Sequence, residues 1–125
     1  MTKRVLVVDD SLLMRRMIAD ILRSTGWEVV AEATNGEEAV ALYGQFRPDA
    51  VTLDIVMPGT NGMFALDRIL QADPWAKIVV ISALNQTKLI SEAIRKGAHD
   101  FIAKPFLPEQ VQETLNRSLE EASLA

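Results

Sequence analysis

The acids of this chain that matter most stand where a charge is hardest to keep. Asp9 and Asp10 close the apolar run of "VLVVDDS", and Asp54 closes "AVTLD". Later, Ser82 and the small Ala83 follow "KIVVI", and Lys104 follows "DFIA" in "AKPF". Adjacent carboxylates repel, so something must offset Asp9 and Asp10. If Asp54 joins them, either one acid holds a proton with a raised pKa or a cation neutralises the group. An oxygen-only donor set suits a hard cation, and Mg²⁺ takes one or two carboxylates together with waters and phosphate oxygens. Lys104 is a compact cation on a long stem, suited to gripping a phosphoryl oxygen as a point charge. A hydroxyl at Ser82 can donate to the same kind of oxygen, and Ala83 leaves room for it. Each residue alone has a plainer reading. Asp10 or Ser11 caps a helix while Asp9 is solvated, Lys104 simply ends a strand in water, and Ser82 satisfies local backbone groups. The combination carries the chemistry, which is the handling of a phosphoryl group beside a metal.

Such a site needs elements that bring distant residues together. Short β-branched runs recur as "RVLVV" (4–8), "EVVAEA" (28–33), "AVTLD" (50–54), "KIVVIS" (77–82) and "DFIA" (100–103). Helical spacing fills the gaps. Met14, Met17, Ile18, Ile21 and Leu22 share one face of a first helix, with Ser11 as N-cap and Gly26 at a left-handed exit. "TNGEEAVALYGQF" opens a second on Asn35, with Glu38 three residues on in the pattern of a capping box. "NGMFALDRILQAD" predicts a third helix, with Gly62 at its start, and "NQTKLISEAIRKG" a fourth ending at Gly97. "LPEQVQETLNRSL" predicts a fifth, with Pro108 in its first turn and Val111, Leu115 and Leu119 on one stripe. The pattern is (βα)5. Its strands are nearly all apolar, as strands covered on both faces must be. The expected fold is α/β: a five-stranded parallel sheet, doubly wound, of flavodoxin-like type. Function in such sheets sits at the carboxyl ends of the strands, where the strand order reverses. That rule gathers Asp9, Asp10, Asp54 and Ser82 in one crevice.

Composition narrows the field. The chain has 125 residues, 49% of them apolar and 24% charged. That is the balance of an ordinary globular domain large enough to bury a core. A net charge of −4 offers no basic face for nucleic acid. With no cysteine, disulfides, thiolate metal sites and thiol catalysis are excluded. The apolar run at the N-terminus is too short for a signal peptide, and no stretch is long enough to span a bilayer as a helix. The expectation is one cytoplasmic domain over residues 1–125.

"VLVVDDS", "VTLDIVMPGTNG", "VVISA" and "GAHDFIAKPF", in this order and spacing, resemble the receiver domain of bacterial two-component response regulators, and the stand-alone chemotaxis regulators in particular. The likeness runs from Lys3 to about Leu119. It, and not the spacing, supplies the sheet order 2-1-3-4-5. The resemblance implies that Asp54 accepts a phosphoryl group from the phosphohistidine of a sensor histidine kinase. It implies Mg²⁺ on Asp10, Asp54 and the backbone carbonyl of Val56, with Asp9 reaching the ion through water. Ser82 and Lys104 would contact the phosphoryl group, beside Ala83, with a cis peptide between Lys104 and Pro105. Phe101 would follow Ser82 with its rotamer and report the state on the face built from the fourth helix, fifth strand and fifth helix. Taken by itself, Phe101 reads as a core or edge aromatic. The implied protein is a switch and not an enzyme, beyond its own phosphoryl transfer and slow loss. Its implied partners are the kinase, a downstream target such as a motor switch component, and a phosphatase. No nucleic acid and no membrane are expected. The other reading is a receiver cut from a larger regulator with a transcriptional or enzymatic output.

Departures from the family pattern are informative. Ile55 follows Asp54 where some chemotaxis regulators have tryptophan, and Trp27 and Trp75 fall elsewhere, as packing or surface residues. Gly59, Thr60 and Asn61 in "MPGTNG" loosen a loop that is often acidic or apolar in relatives. Val56 and Leu84 stand where the family steers water, so two apolar residues there point to a long-lived phosphate. His99, the only histidine, is expected in solvent and is assigned no role. An aspartyl-phosphate hydrolase of the haloacid dehalogenase type wants a second acid two residues after the nucleophile, where this chain has Val56. A flavodoxin-like nucleotide binder wants a Ser-, Thr- or Gly-rich loop after the first strand, where Asp9 and Asp10 would repel phosphate. A receiver that only docks would not need the full set of acids, Ser82 and Lys104.

Overall fold

The computed structural model describes residues 2–57 and 62–124, with side chains as far as Glu120. The Gly59–Asn61 part of the expected loose loop lies outside these residues. Strands β1 (Lys3–Val8), β2 (Trp27–Ala33), β3 (Ala50–Leu53), β4 (Ile78–Ala83) and β5 (Asp100–Lys104) alternate with helices α1 (Leu12–Arg23), α2 (Gly36–Phe46), α3 (Gly62–Ala72), α4 (Thr87–Lys96) and α5 (Pro108–Leu124). The sheet is wholly parallel in the order β2-β1-β3-β4-β5. β1 and β2 slip by one residue after Val5, so Leu6 pairs with Ala31 and Val30 is left over as a bulge.

Strand side chains alternate between two cores. Leu6, Val8, Val51, Leu53, Ile78 and Val80 pack under α2, α3 and α4 against Tyr43, Leu66 and Ile69. Val5, Val7, Val79, Ile81 and Ile102 face the other way, against Ile18 and Leu22 of α1 and Val111 and Leu115 of α5. Burial on both faces is why these strands read as continuous apolar runs.

The local signals act as expected in outline and differ in detail. Ser11 caps α1, its hydroxyl accepting from Met14 N–H at 3.2 Å. Met17, assigned to the apolar face of α1, is instead exposed, and Ala19 is buried in its place. The buried stripe is one residue further round the helix, where a small side chain lets α1 lie close to the sheet. Asn35 caps α2 through Glu38 N–H at 2.9 Å. The Glu38 carboxylate does not return to Asn35 but reaches back to Thr34 N–H at 2.7 Å and to the Thr34 hydroxyl. That double hydrogen bond holds its pKa below the usual glutamate range. α2 leaves through Arg47, a left-handed non-glycine residue at φ 46°, which the sequence pattern does not announce. A single 3₁₀ turn at Leu84–Gln86 precedes α4, also unannounced. Trp27 is buried, its Nε1–H donating to Asn116 Oδ1 at 3.1 Å under the Lys3 ammonium. Trp75 is 80% exposed. His99 is half-buried and not in solvent as expected, and its backbone N–H donates to Ile78 O of β4 at 2.8 Å.

Candidate functional site

β1 and β3 are neighbours, yet their connections diverge, β1 leading to β2 on one side and β3 to β4 on the other. A crevice opens at the carboxyl ends of such a pair. Val8 stands opposite Leu53, so the next residues, Asp9 and Asp54, are side by side. Asp54 falls one residue beyond the strand that was expected to contain it, but its N–H still donates to Val8 O at 3.0 Å. One carboxylate oxygen from each of Asp9, Asp10 and Asp54 lies within 4.8 Å of the others.

Burial divides the trio. Asp9 is 2% exposed, with Oδ1 accepting from Ser11 N–H at 2.9 Å and Oδ2 from Lys104 Nζ at 3.1 Å. Asp54 is 6% exposed, with Oδ1 accepting from Val56 N–H at 3.0 Å and Oδ2 from the same Lys104 ammonium at 3.3 Å. Asp10 is exposed. Lys104 reaches in from the end of β5, two strands from β3, and bridges two buried acids. Removal from water raises the pKa of Asp54. The Lys104 charge opposes that rise, Asp9 adds to it, and the Val56 hydrogen bond opposes it, leaving Asp54 above the ordinary carboxylate range. Burial works against the charged form of Lys104, but Asp54 and then Asp9 more than offset it and hold the amine above its usual value. Lys104 is a cation that makes the buried acids tolerable.

The donor set fits a hard divalent cation. It is all oxygen, and its one exposed member, Asp10, opens to solvent where a hydrated ion arrives.

Other predicted residues fall as follows. Ser82 is 2% exposed at the end of β4, opposite Ala103, and Ala83 stands opposite Lys104. Val56 turns its N–H onto Asp54 and leaves its side chain 49% exposed. The Lys104–Pro105 peptide is cis. Phe101 is not in the crevice. Its side chain is 42% exposed on β5 and lines, with Leu84, Ile90 and Ile94, an apolar cleft of about 540 Å³ against α4.

Two supporting residues escape sequence reasoning. Arg15 Nη1 donates to Asp9 O at 2.8 Å while its Nε holds Glu32 at 3.1 Å. The only hint is a basic residue one turn into the helix that follows the acids. Gly62, read as a helix start, lies against the backbone of Asp54 and Ile55 with no room for a side chain. A glycine at a loop–helix junction gives no sequence signal of what it approaches.

Known proteins share this sequence pattern and fold. Residues 5–116 match the model of the response regulator receiver domain. The chemotaxis protein CheY of Thermotoga maritima is 53% identical over 117 residues, 94% of this chain and 98% of that protein. CheY of Bacillus subtilis is 49% identical over 119 residues, covering 95% and 99%. Among solved structures, the CheX–CheY–BeF3–Mg²⁺ complex of Borrelia burgdorferi matches with a TM-score of 0.89 at 35% identity, over 94% of this chain and 89% of that one. The receiver domain of NtrX from Brucella abortus matches at 0.87 and 35%, over 93% and 98%. No helix among the described residues is long and apolar enough to cross a membrane. By sequence and by fold, this chain belongs to the family of response regulator receiver domains.

Proposed function

We propose that residues 1–125 act as one phosphorylation-driven switch in the cytoplasm, taking a phosphoryl group on Asp54 from a histidine kinase and passing the signal to a chemotaxis or motility target. The observation that carries this reading is the Lys104 ammonium held between the buried carboxylates of Asp9 and Asp54. Phosphoryl transfer asks little covalent work of a protein; it needs in-line placement and charge on the equatorial oxygens. Asp54 is set for this by its hydrogen bonds to Val8 and Val56. The P–N bond of the donor breaks as a bond forms to an Asp54 oxygen. Lys104 leaves its acids to meet the incoming anion. Asp10, Asp54 and the Val56 carbonyl would hold Mg²⁺, with Asp9 behind water. Bound there, the ion supplies the positive charge that lets an anion approach three acids.

The product is an added anion beside Ser82, one residue before Ala83 in the strand register that also contains Lys104. Contacts to Ser82 and Lys104 then favour one of two arrangements of the turn at Leu84–Gln86, which is a population shift driven by local contacts. Phe101 has space to turn in the cleft beside that turn, which places the readout on the face of α4, β5 and α5. Exposed Leu12, Leu13, Val56, Leu84 and Leu107 stand on the segments that follow β1, β3, β4 and β5. Apolar side chains exposed at these strand exits suit the docking of a protein donor. The CheY proteins matched over nearly their whole length are chemotaxis proteins, which supports a chemotaxis target; the partners of this reading are a motor switch component and a phosphatase. Val56 and Leu84 offer no polar group to a hydrolytic water, so the phosphate is long-lived.

A receiver belonging to a larger regulator remains the second reading. It is favoured by the likeness to the protein-glutamate methylesterase of Haloarcula marismortui, of which this chain covers 28% at 43% identity.

The test is acetyl phosphate with Mg²⁺. Intact mass should gain one phosphoryl group in the wild type and none in Asp54→Asn, and beryllium fluoride with Mg²⁺ should shift amide resonances near Ser82 and Phe101. An unchanged wild-type mass, or the same shifts in Asp54→Asn, defeats the reading. Loss of the phosphate within seconds without a phosphatase defeats the claim of a long lifetime.

A further inference from the structure

We propose that Gly62 is a positioning residue for the acid crevice, the seat against which Asp54, Ile55 and Val56 are set. The proposal rests on reading those residues as the phosphoryl and metal site. Three contacts fix this segment. On one side Asp54 N–H donates to Val8 O at 3.0 Å, tying it to β1. Within the segment, Val56 N–H closes onto Asp54 Oδ1 at 3.0 Å. On the far side stands Gly62, the first residue of α3. Its N–H donates to Ile55 O at 2.9 Å, and its Cα faces the peptide between Asp54 and Ile55. A Cβ added there would run into Asp54 O and fall 2.6 Å from Ile55 Cα. Both are backbone atoms and cannot swing aside as a side-chain end can. Either the segment or the start of α3 must move.

The direction of that movement decides its consequence. α3 is anchored by Ala65, Leu66 and Ile69, each no more than 1% exposed. The Asp54–Val56 segment lies past the end of β3 and is itself held by the hydrogen bonds above and by Ile55, 3% exposed in the same core. Neither side has slack, so a methyl at Gly62 forces the two apart and moves the carboxylate of Asp54 and the backbone at Val56 relative to Asp10 and Lys104. Coordination and in-line attack both tolerate little displacement. Glycine is needed here for the close approach of two backbones.

Gly44 supplies the control. It lies exposed within α2, where a Cβ meets nothing within 4 Å, so Gly44→Ala stabilises the helix without touching the crevice. Mg²⁺ affinity is measured by calorimetry on wild type, Gly44→Ala and Gly44→Ala/Gly62→Ala, with thermal melts of each. The expected result is wild-type affinity in Gly44→Ala and at least tenfold weaker binding in the double variant at a temperature where it is fully folded. Wild-type affinity in the folded double variant would show that Gly62 serves packing alone and would overturn the proposal. A second measurement needs no variant. On titrating the wild type with Mg²⁺, the Gly62 amide should shift with the same midpoint as the Val56 amide while Gly44 stays still; a silent Gly62 overturns the proposal as well. If the wild type bound no Mg²⁺, the metal-site reading would fall, an outcome distinct from both of these.

Discussion

Asp54 and Lys104 show what one residue costs and what it supplies. Asp54 is held above the ordinary carboxylate range, first by burial. A carboxyl raised in the folded state contributes its stability below the unfolded value of about 3.9 and loses it as pH rises through the folded value. At pH 7 without metal, Asp54 is therefore a liability. Asp54→Asn should raise stability by about 1 kcal/mol, a Tm gain of roughly 4 °C. That gain should shrink as the melts are repeated toward pH ~3, below the unfolded value, where both states protonate. An equal gain at all pH values would contradict the assignment of cause. Lys104 carries the complementary expectation. Lys104→Met removes the cation shared by Asp9 and Asp54 and leaves two buried acids unpaired. It should cost about 3 kcal/mol at pH 7 in Mg²⁺-free urea unfolding, with partial recovery on acidification.

Elements turn these residues into a site. α1 begins directly behind Asp10 because Ser11 caps it, and the same Ser11 donates its N–H to Asp9. Ser11→Ala keeps that N–H and loses only the cap, so it should cost about 1 kcal/mol in urea unfolding and leave Mg²⁺ affinity unchanged. In α2, Gly44 is exposed within the helix, and Gly44→Ala should gain about 0.5–1 kcal/mol. The elements were largely legible in advance. Alternating β-branched runs and amphipathic stretches report burial on two faces, and burial is what those patterns encode. Less legible were the features set by a partner. Met17 gives way to Ala19 because the sheet accepts a small residue there. Glu38 finds Thr34 because the end of β2 delivers it. Arg47 takes a left-handed φ that its type does not advertise.

At the scale of the whole molecule, the sheet holds the crevice open between β1 and β3 while the two cores clamp it from either side. Leu115 is fully buried against α1 and the sheet. Leu115→Ala should lower stability by about 2–5 kcal/mol without altering Mg²⁺ affinity of the folded protein, since the acids hang on strand ends and not on α5. Binding acts in the opposite sense. Mg²⁺ at about a hundredfold excess over its dissociation constant should add about 2.7 kcal/mol, seen as a higher Tm in wild type and a much smaller rise in Asp10→Asn.

By itself the sequence determined which residues were to meet. Asp9, Asp10, Asp54, Ser82 and Lys104 each follow an apolar run, and parallel strands under helices bring such ends to one edge. Tertiary structure alone decided how the acids divide. Two are buried and bridged by Lys104 and one faces water, because burial depends on which strands are neighbours and not on residue type. It alone decided that Gly62 must be glycine, since only packing brings the start of α3 against the backbone of Asp54.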